Sequence, residues 1–314
     1  MRIGVLVDST CDLPKSFIEA HGIVVMPITL RIGGKLIEDR RDPEETHAFY
    51  ARHLDNKSED FAESIPYSIE QIERLFLDRL VLDYDYVFCL TVTAGRSAIY
   101  DNAMKASRAI LTQYKDVRRQ AGVPERFGLA VLSSRTMFTG QAVQAAEAIR
   151  LIRQGGTPSE IGTRLRQLID RTHTYLVPSD LFHIYKRASK KGEKSIGWAS
   201  YTLGSMLDVK PILYCNQDRT GPLAKVRGFE AGVEKLFANA ESRVREGLDA
   251  PFLCISYGGP LEQLHRFSGY DALVATAKAA GVEVLVSPMS KTAAVNVGPG
   301  AVSLAFAADG QTLQ

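Results

Sequence analysis

YVFCLTVTAGRSAIYDNAMKA, residues Tyr86 to Ala106, is the stretch of sequence on which the fold prediction rests. It begins with a continuous apolar run over residues 86–90, which is too short for a helix and typical of a buried parallel strand. Small residues follow up to Gly95, and from Ala98 the apolar residues recur at helical spacing. The stretch therefore predicts a strand, a short loop and a helix. In an open parallel sheet, ligands bind at such a point, beyond the carboxyl end of a strand.

Ser97 is the polar residue at the predicted start of that helix. A serine in this position usually caps the helix, because its hydroxyl accepts a hydrogen bond from a free amide of the first turn. The same hydroxyl and the neighbouring amides can instead hold an anion, since the amino end of a helix carries partial positive charge. Taken alone, the stretch leaves both interpretations of Ser97 open.

Length and composition limit the class of protein. The chain has 314 residues, which is long enough for two domains with cores of their own. Its net charge of +2 gives no reason to expect a nucleic-acid partner, and no apolar run approaches the roughly 20 residues of a membrane span. The amino terminus lacks a signal-peptide pattern, and the four cysteines are scattered without a CxxC pair. We therefore expect a cytoplasmic protein with buried, reduced thiols and no bound metal.

Strand-like and helix-like segments alternate along the chain, as they do in α/β proteins. A predicted helix over residues 137–154 ends at Gly155-Gly156, and a capping box with proline at the first helical position follows at Thr157. These signals place a domain boundary near this point. We therefore predict an amino-terminal domain over residues 1–156 and a carboxyl-terminal α/β domain over residues 157–314.

Several local signals predict individual elements. Gly33-Gly34 has the form of a hairpin turn, and Ser68 has capping-box spacing before a helix. The apolar pattern over Pro260–Ala280 predicts one long helix, and residues 296–301 read as a tight loop. The basic segment Lys186–Lys194 is typical of a solvated surface loop, although it could also dock an acidic partner.

The common catalytic and nucleotide-binding motifs are absent from the sequence. No GxGxxG or GxxxxGK[ST] is present, and neither is HExxH nor GxSxG. Hydroxyl-rich turns recur instead at predicted strand ends, at residues 8–10, 64, 91–97 and 133–134. Each is also an ordinary cap or turn. If these turns converge on one crevice, they form a neutral cradle for a carboxylate or phosphate.

Four motifs resemble those of the DegV family and occur in the same order. They are VDSTCDLP from Val7, GRSAIYDNA from Gly95, DVKPILYCNQDRTGPLAKVRG from Asp208 and GPGA from Gly298. The resemblance covers nearly the whole chain. It implies a two-domain α/β protein, with a three-layer parallel-sheet domain first, and a tunnel between the domains that holds one long-chain fatty acid. Some members present that acid to a fatty acid kinase.

The resemblance also implies which residues contact the ligand. The family's carboxylate-binding serine falls on Ser97, which lies between Arg96 and Ala98 in the central motif, and the tyrosine that follows in the family matches Tyr100. On this alignment the central motif supplies the principal contact to the carboxylate, and the residues on either side of the serine belong to the same binding loop.

Other parts of the implied site depart from the family pattern. The family's ligand-binding threonine falls on Glu63, or on Ser64 if the register slips by one residue. A histidine common in the family is Asn296 here, and an arginine of the family has no certain counterpart within residues 190–196. Together with the central motif, the implied ligand-binding residues are Ser97, Ser64, Glu63, Arg96, Ala98 and Asn296.

The resulting prediction is a fatty acid carrier without catalytic activity or cofactor. An acyl chain gains roughly 0.8 kcal/mol for each buried methylene, while the site needs only to satisfy the carboxylate. Two alternatives remain open. One is an enzyme, either a hydrolase that uses Ser97 or a kinase-like protein, which would need a base near that serine. The other is a carrier of a different amphipathic acid.

A kinase partner is doubtful on the sequence alone. Asn296 cannot carry a proton as the usual histidine can, and Glu63 in the threonine's place would bring a like charge close to the ligand carboxylate. We therefore expect the bound acid to be a poor substrate for phosphoryl transfer, a reaction that depends on positioning and electrostatics.

Overall fold

The structure is a computed structural model that describes residues 1–53, 63–185, 208–310 and 313. The basic segment Lys186–Lys194 lies outside the described residues. Within the described ranges, no helix is long and apolar enough to cross a bilayer.

Strands and helices alternate through the described ranges. The strands are β1 (Ile3–Asp8), β2 (Val24–Met26), β3 (Ile28–Ile32), β4 (Lys35–Asp39), β5 (Glu63–Ile65), β6 (Tyr86–Thr91), β7 (Gly128–Ser133), β8 (Thr172–Val177), β9 (Val209–Asn216), β10 (Arg219–Arg227), β11 (Phe252–Tyr257), β12 (Glu283–Pro288) and β13 (Val302–Ala307). The α-helices are α1 (Lys15–Ala20), α2 (Pro43–His53), α3 (Ile69–Leu75), α4 (Val81–Asp83), α5 (Ile99–Ala109), α6 (Tyr114–Gln120), α7 (Thr139–Arg153), α8 (Pro158–Arg171), α9 (Phe229–Glu246), α10 (Tyr270–Ala279) and α11 (Lys291–Val297).

The first sheet is parallel, with the strand order β2-β1-β6-β7. Side chains alternate across β6: Val87 and Cys89 face the layer that contains α3 and α5. Phe88 and Leu90 face the opposite layer, which contains α7 and α8. Helices therefore cover both faces, which explains the unbroken apolar run of β6 and confirms the predicted three-layer parallel-sheet architecture.

The three strands that lie between β2 and β6 in the sequence form a small antiparallel sheet, in the order β4-β3-β5. Gly33 and Gly34 connect β3 to β4 with φ values of 52° and 78°, so the predicted hairpin turn is confirmed. Leu30 of this sheet packs in one cluster with Phe49 of α2 and Val295 of α11. The small sheet thus connects the amino-terminal half to a helix near the other end of the chain.

The second sheet has six strands in the order β10-β9-β8-β13-β11-β12. Its neighbours are antiparallel except β11 and β12, which are parallel. Helices α9 and α10 cover its outer face through a cluster that includes Phe237 and Leu273. The inner face of the sheet is turned toward α7.

Helix α7 is the element shared by the two sheets. Its residues from Thr139 to Ile149 are all buried, and its alanines lie in one cluster with Val5 of the first sheet and Cys254 of the second. Small side chains allow the backbone of a helix to lie close to a sheet on each side. One core therefore spans both halves of the molecule, and the division at residues 156/157 stays a prediction.

Three predicted elements are wrong in detail. The segment predicted as one helix over Pro260–Ala280 is a 3₁₀ helix (Leu261–Arg266) followed by α10, with Gly269 at φ 86° between them. Asn296 lies in α11 and not in a loop, because a helix capped by Ser290 precedes the Gly-Pro-Gly turn. The N-cap of α5 is Ala98, one residue later than predicted.

Candidate ligand-binding site

A cavity of about 280 Å³ lies between the carboxyl edge of the first sheet and the inner face of the second. Its polar wall includes Thr10, Ser64, Arg96, Ser97, Thr220 and Asn296. Its apolar wall includes Met137, Phe138, Leu176, Ile184, Leu213 and Val297. The cavity therefore combines hydrogen-bonding groups with an apolar lining, the general form of a site for an amphipathic molecule.

The structure brings together four of the six residues that the sequence implied. Ser64, Arg96, Ser97 and Asn296 all line the cavity, although they come from β5, the loop after β6, and α11. Ala98 is exposed and lies outside the described wall of the cavity. The role of these side chains in binding a ligand stays a prediction.

Glu63 is the other implied residue outside the cavity wall. Its carboxylate accepts a hydrogen bond from Arg31 at 3.1 Å, and both side chains are about half exposed. Successive residues of a strand point to opposite faces, so Glu63 faces away while Ser64 faces the cavity. This geometry favours Ser64 as the counterpart of the family's threonine. It also removes the like-charge argument against phosphoryl transfer to a bound acid. Of the two departures that argued against a kinase partner, Asn296 is the one that remains.

The loop after β6 holds Ser97 at the start of α5. The Ser97 hydroxyl accepts a hydrogen bond from the Ile99 amide at 3.3 Å, so it satisfies a free amide of the first turn and faces the cavity as well. The neighbouring Arg96 guanidinium donates to the Thr220 hydroxyl, which belongs to β10 of the second sheet. Capping of the helix and binding of an anion, the two interpretations of Ser97, are thus compatible with each other.

The β9–β10 hairpin crosses from the second sheet to the first at the rim of the cavity. Asp218 accepts hydrogen bonds from Thr93 at 2.5 Å and from Arg135 at 2.7 Å. Partial burial raises the pKa of Asp218, but these two hydrogen bonds and the charge of Arg135 outweigh it and lower the pKa overall. The ionised carboxylate therefore holds the hairpin over the side of the cavity where Thr220 lies.

The other hydroxyl-rich turns serve mainly to join strands. Thr10 lines the cavity, but its hydroxyl donates to Asp8 at 2.6 Å, and the Asp8 carboxylate also accepts from the Val92 amide. Burial raises the pKa of Asp8, and the hydrogen bonds from Thr10 and Val92 oppose that rise. Ser9 accepts from the Ile28 amide at 3.0 Å. Only part of the predicted cradle is therefore available to a ligand.

Sequence reasoning missed Thr292 of α11 and the apolar wall. Thr292 lines the cavity on α11, and its hydroxyl donates to Asp39 at 2.8 Å. One turn later, the Asn296 amide donates to the Thr292 carbonyl at 2.5 Å. Ser290, three residues before Ala293, was the available signal for this helix, since its hydroxyl accepts from the Ala293 amide. The apolar wall has no comparable signal, because its members are distant in sequence.

The described part of the cavity wall carries a single cation. Within the described ranges, Arg96 is the one charged side chain in that wall, and no histidine or carboxylate lies there. His173 lies in β8 of the second sheet, where its ring nitrogens contact the Tyr214 hydroxyl and the Ala308 carbonyl. The wall can therefore attract an anion, and its described part offers no base for Ser97.

Comparison with known sequences identifies the family. A model of the DegV family, described as an uncharacterised protein of that family, matches residues 2–309. A DegV domain-containing protein of Xanthomonas axonopodis pv. citri is 47% identical over 309 residues, which cover 98% of each chain. A fatty acid-binding protein of Thermotoga maritima is 25% identical over 313 residues, or 96% of each chain.

Solved structures show the same fold. A DegV lipid-binding protein of Thermotoga maritima superposes with a TM-score of 0.76 at 22% identity, over 99% of this chain and 100% of the other. A stearic acid-binding protein of Eubacterium ventriosum also gives 0.76, at 20% identity over 97% and 98% of the two chains. With a family model that spans nearly all of its length, this chain belongs to the DegV family.

Proposed function

We propose that this protein binds one long-chain fatty acid in the cavity between the two sheets and carries it chemically unchanged. The observation that supports the proposal most directly is the cavity wall, whose apolar side chains are accompanied by a single cation among the described residues. The names of two relatives, one fatty acid-binding and one stearic acid-binding, point in the same direction. In this proposal the cavity is part of the tunnel expected between the domains.

The proposed binding energy comes mainly from the acyl chain. Each buried methylene contributes roughly 0.8 kcal/mol, whereas a carboxylate left without partners would be costly to bury. Ser97, Ser64 and Asn296 offer donors at the polar wall, and Arg96 offers positive charge. We propose that these four side chains orient the carboxylate while the apolar wall supplies affinity.

The proposed place of action is the cytoplasm. All four cysteines are free and buried, and burial raises the pKa of the Cys215 thiol at the cavity to about 12. A thiol with such a pKa is almost entirely protonated near neutral pH and reacts slowly. This usage of cysteine is typical of a reducing compartment.

Protein purified without added lipid is expected to carry one fatty acid for each chain. Native mass spectrometry followed by denaturing extraction identifies the molecule, and removal of the lipid should lower the melting temperature, because a ligand that binds only the folded state stabilises it. Extraction that repeatedly yields no stoichiometric acid, together with an unchanged melting temperature after addition of palmitate or oleate, would contradict the proposal. Extraction of a different amphipathic acid would leave the proposed site unchanged and replace only the identity of its ligand.

The Ser97→Ala variant is expected to bind the same acid about tenfold more weakly. A hydrogen bond to a charged group contributes roughly 1.5–3 kcal/mol, and a factor of ten corresponds to about 1.4 kcal/mol. Isothermal titration of delipidated protein measures the change. Ser107→Ala is the matched control, since Ser107 lies in α5, the helix that follows Ser97, and its hydroxyl donates to the Met104 carbonyl outside the cavity wall.

The same variant separates a carrier from an enzyme. Ester hydrolysis by the wild type that disappears in Ser97→Ala would show that the serine is a nucleophile and that the carrier proposal is wrong. Equal affinities of the wild type and Ser97→Ala would instead place the carboxylate elsewhere in the cavity.

A further inference from the structure

Phe138 has a backbone conformation that few side chains adopt. Its φ is 50° and its ψ is −113°, at the residue that precedes helix α7. A positive φ in a bulky residue is a genuine outlier, and such strain persists only where the surrounding structure holds it in place. Here the Phe138 carbonyl accepts hydrogen bonds from the Ala142 amide at 3.2 Å and the Asp12 amide at 3.4 Å. The carbonyl of the strained residue is therefore held both by α7 and by the loop after β1.

The strained backbone places the phenyl ring in the apolar wall of the cavity. Phe138 is only 5% exposed and lines the cavity together with Leu176 and Val297. The same cluster contains Met289 and Ala293, which are fully buried and do not line the cavity. The ring therefore lies between the open space and the packed core of the second half of the molecule.

An ordinary core position does not require this conformation. Glycine adopts a positive φ without a steric penalty, so the backbone turn before α7 could be made at lower cost by a residue with no side chain. The strained position instead supplies a large ring at the boundary of the cavity. Removal of that ring would join its volume to the cavity, because interiors of proteins are close-packed and relax only partly around a lost side chain.

We propose that Phe138 sets the size of the apolar compartment and thereby the length of acyl chain that the protein prefers. This inference rests on the proposed function and deepens it, because it names the residue that discriminates among fatty acids. The ring occupies space that additional methylenes of a longer acid would otherwise fill. A smaller side chain at this position should therefore favour longer acids and leave the polar wall unchanged.

The test is a series of binding measurements with saturated acids from laurate to behenate. Phe138→Ala and Phe138→Gly should move the tightest-bound acid to a longer chain and raise the ratio of arachidate to myristate affinity about tenfold or more, since each added methylene that becomes buried contributes. Phe138→Leu, which preserves more of the core, should shift the preference in the same direction by less. If truncation to alanine or glycine prevents folding, the leucine variant still decides the outcome.

Two controls distinguish the effect of losing the ring from the effect of the strained backbone and from a general loss of stability. Phe138→Gly should melt at a higher temperature than Phe138→Ala, because only glycine relieves the strain at positive φ. Phe237→Ala removes a fully buried ring behind the second sheet and outside the cavity wall, so it should lower stability and leave the order of affinities unchanged.

An order of affinities in all three Phe138 variants that matches the wild type would overturn the inference while leaving the proposed function intact. Failure of the wild type to bind any acid of the series would count against the proposed function itself, and the inference would fall with it.

Discussion

Asp12→Ala is expected to lower the free energy of unfolding by about 3–5 kcal/mol, because it leaves a buried guanidinium without its counter-ion. The Asp12 carboxylate lies 3.1 Å from Arg41, and the two side chains are 0% and 4% exposed. Burial raises the pKa of Asp12 above its ordinary value, and the Arg41 charge and hydrogen bonds from Ser256 and Ser290 oppose that rise. Chemical denaturation monitored by circular dichroism measures the change.

The position of this pair explains why its loss should also disturb the cavity wall. Asp12 follows β1, yet it accepts hydrogen bonds from the Ser256 hydroxyl at 2.6 Å and the Ser290 amide at 2.9 Å. Ser290 caps α11, which carries Asn296 into the cavity wall. The buried pair therefore fixes α11 against the amino-terminal half of the molecule.

An exposed ion pair nearby provides the control for Asp12. Lys15 lies 2.7 Å from Asp42, but both side chains are partly exposed to solvent. Exposed ion pairs contribute little to stability, so Lys15→Ala should change the unfolding midpoint far less than Asp12→Ala. Similar midpoints for the two variants would show that the buried pair does not hold the halves together.

Gly140→Ala is expected to destabilise the protein by about 1–3 kcal/mol, although alanine normally stabilises a helix relative to glycine. Gly140 lies in the first turn of α7, where a β-carbon would overlap the Thr174 hydroxyl and lie 2.6 Å from the Thr136 hydroxyl. These hydroxyls form a hydrogen bond of 2.7 Å across the interface between the halves. The methyl group would have to separate them or displace α7.

The neighbouring helix offers a matched control for this substitution. Gly162 lies in α8, and a β-carbon there would meet its nearest atom, on Phe88, at the ordinary contact distance of 3.5 Å. Gly162→Ala should therefore stabilise the protein, by up to about 1 kcal/mol, through the higher helix propensity of alanine. Thermal unfolding of both variants shows the opposite signs. A stabilised Gly140→Ala protein would mean that the contact between α7 and β8 is looser than the structure shows.

Local chemistry accounts for the elements that the sequence predicted correctly. The apolar run at Tyr86–Leu90 can be satisfied only where both faces of a strand are covered, and Gly33-Gly34 suits a turn with two positive φ angles. The capping boxes at Ser68 and Thr157 were confirmed because their hydrogen bonds join residues only three positions apart. Such interactions need no information from the rest of the chain.

The sequence by itself determined the alternation of strands and helices, the parallel sheet, and the position of Ser97 at the start of a helix. Tertiary structure alone decided which residues share the cavity. Ser64 faces it and Glu63 does not, because one step along β5 reverses the direction of a side chain. Phe138 reaches the apolar wall through an unusual backbone conformation. A hydrogen bond from Asp12, more than a hundred residues earlier in the chain, helps to hold that conformation. These outcomes depend on packing between distant segments, which neither periodicity nor capping encodes.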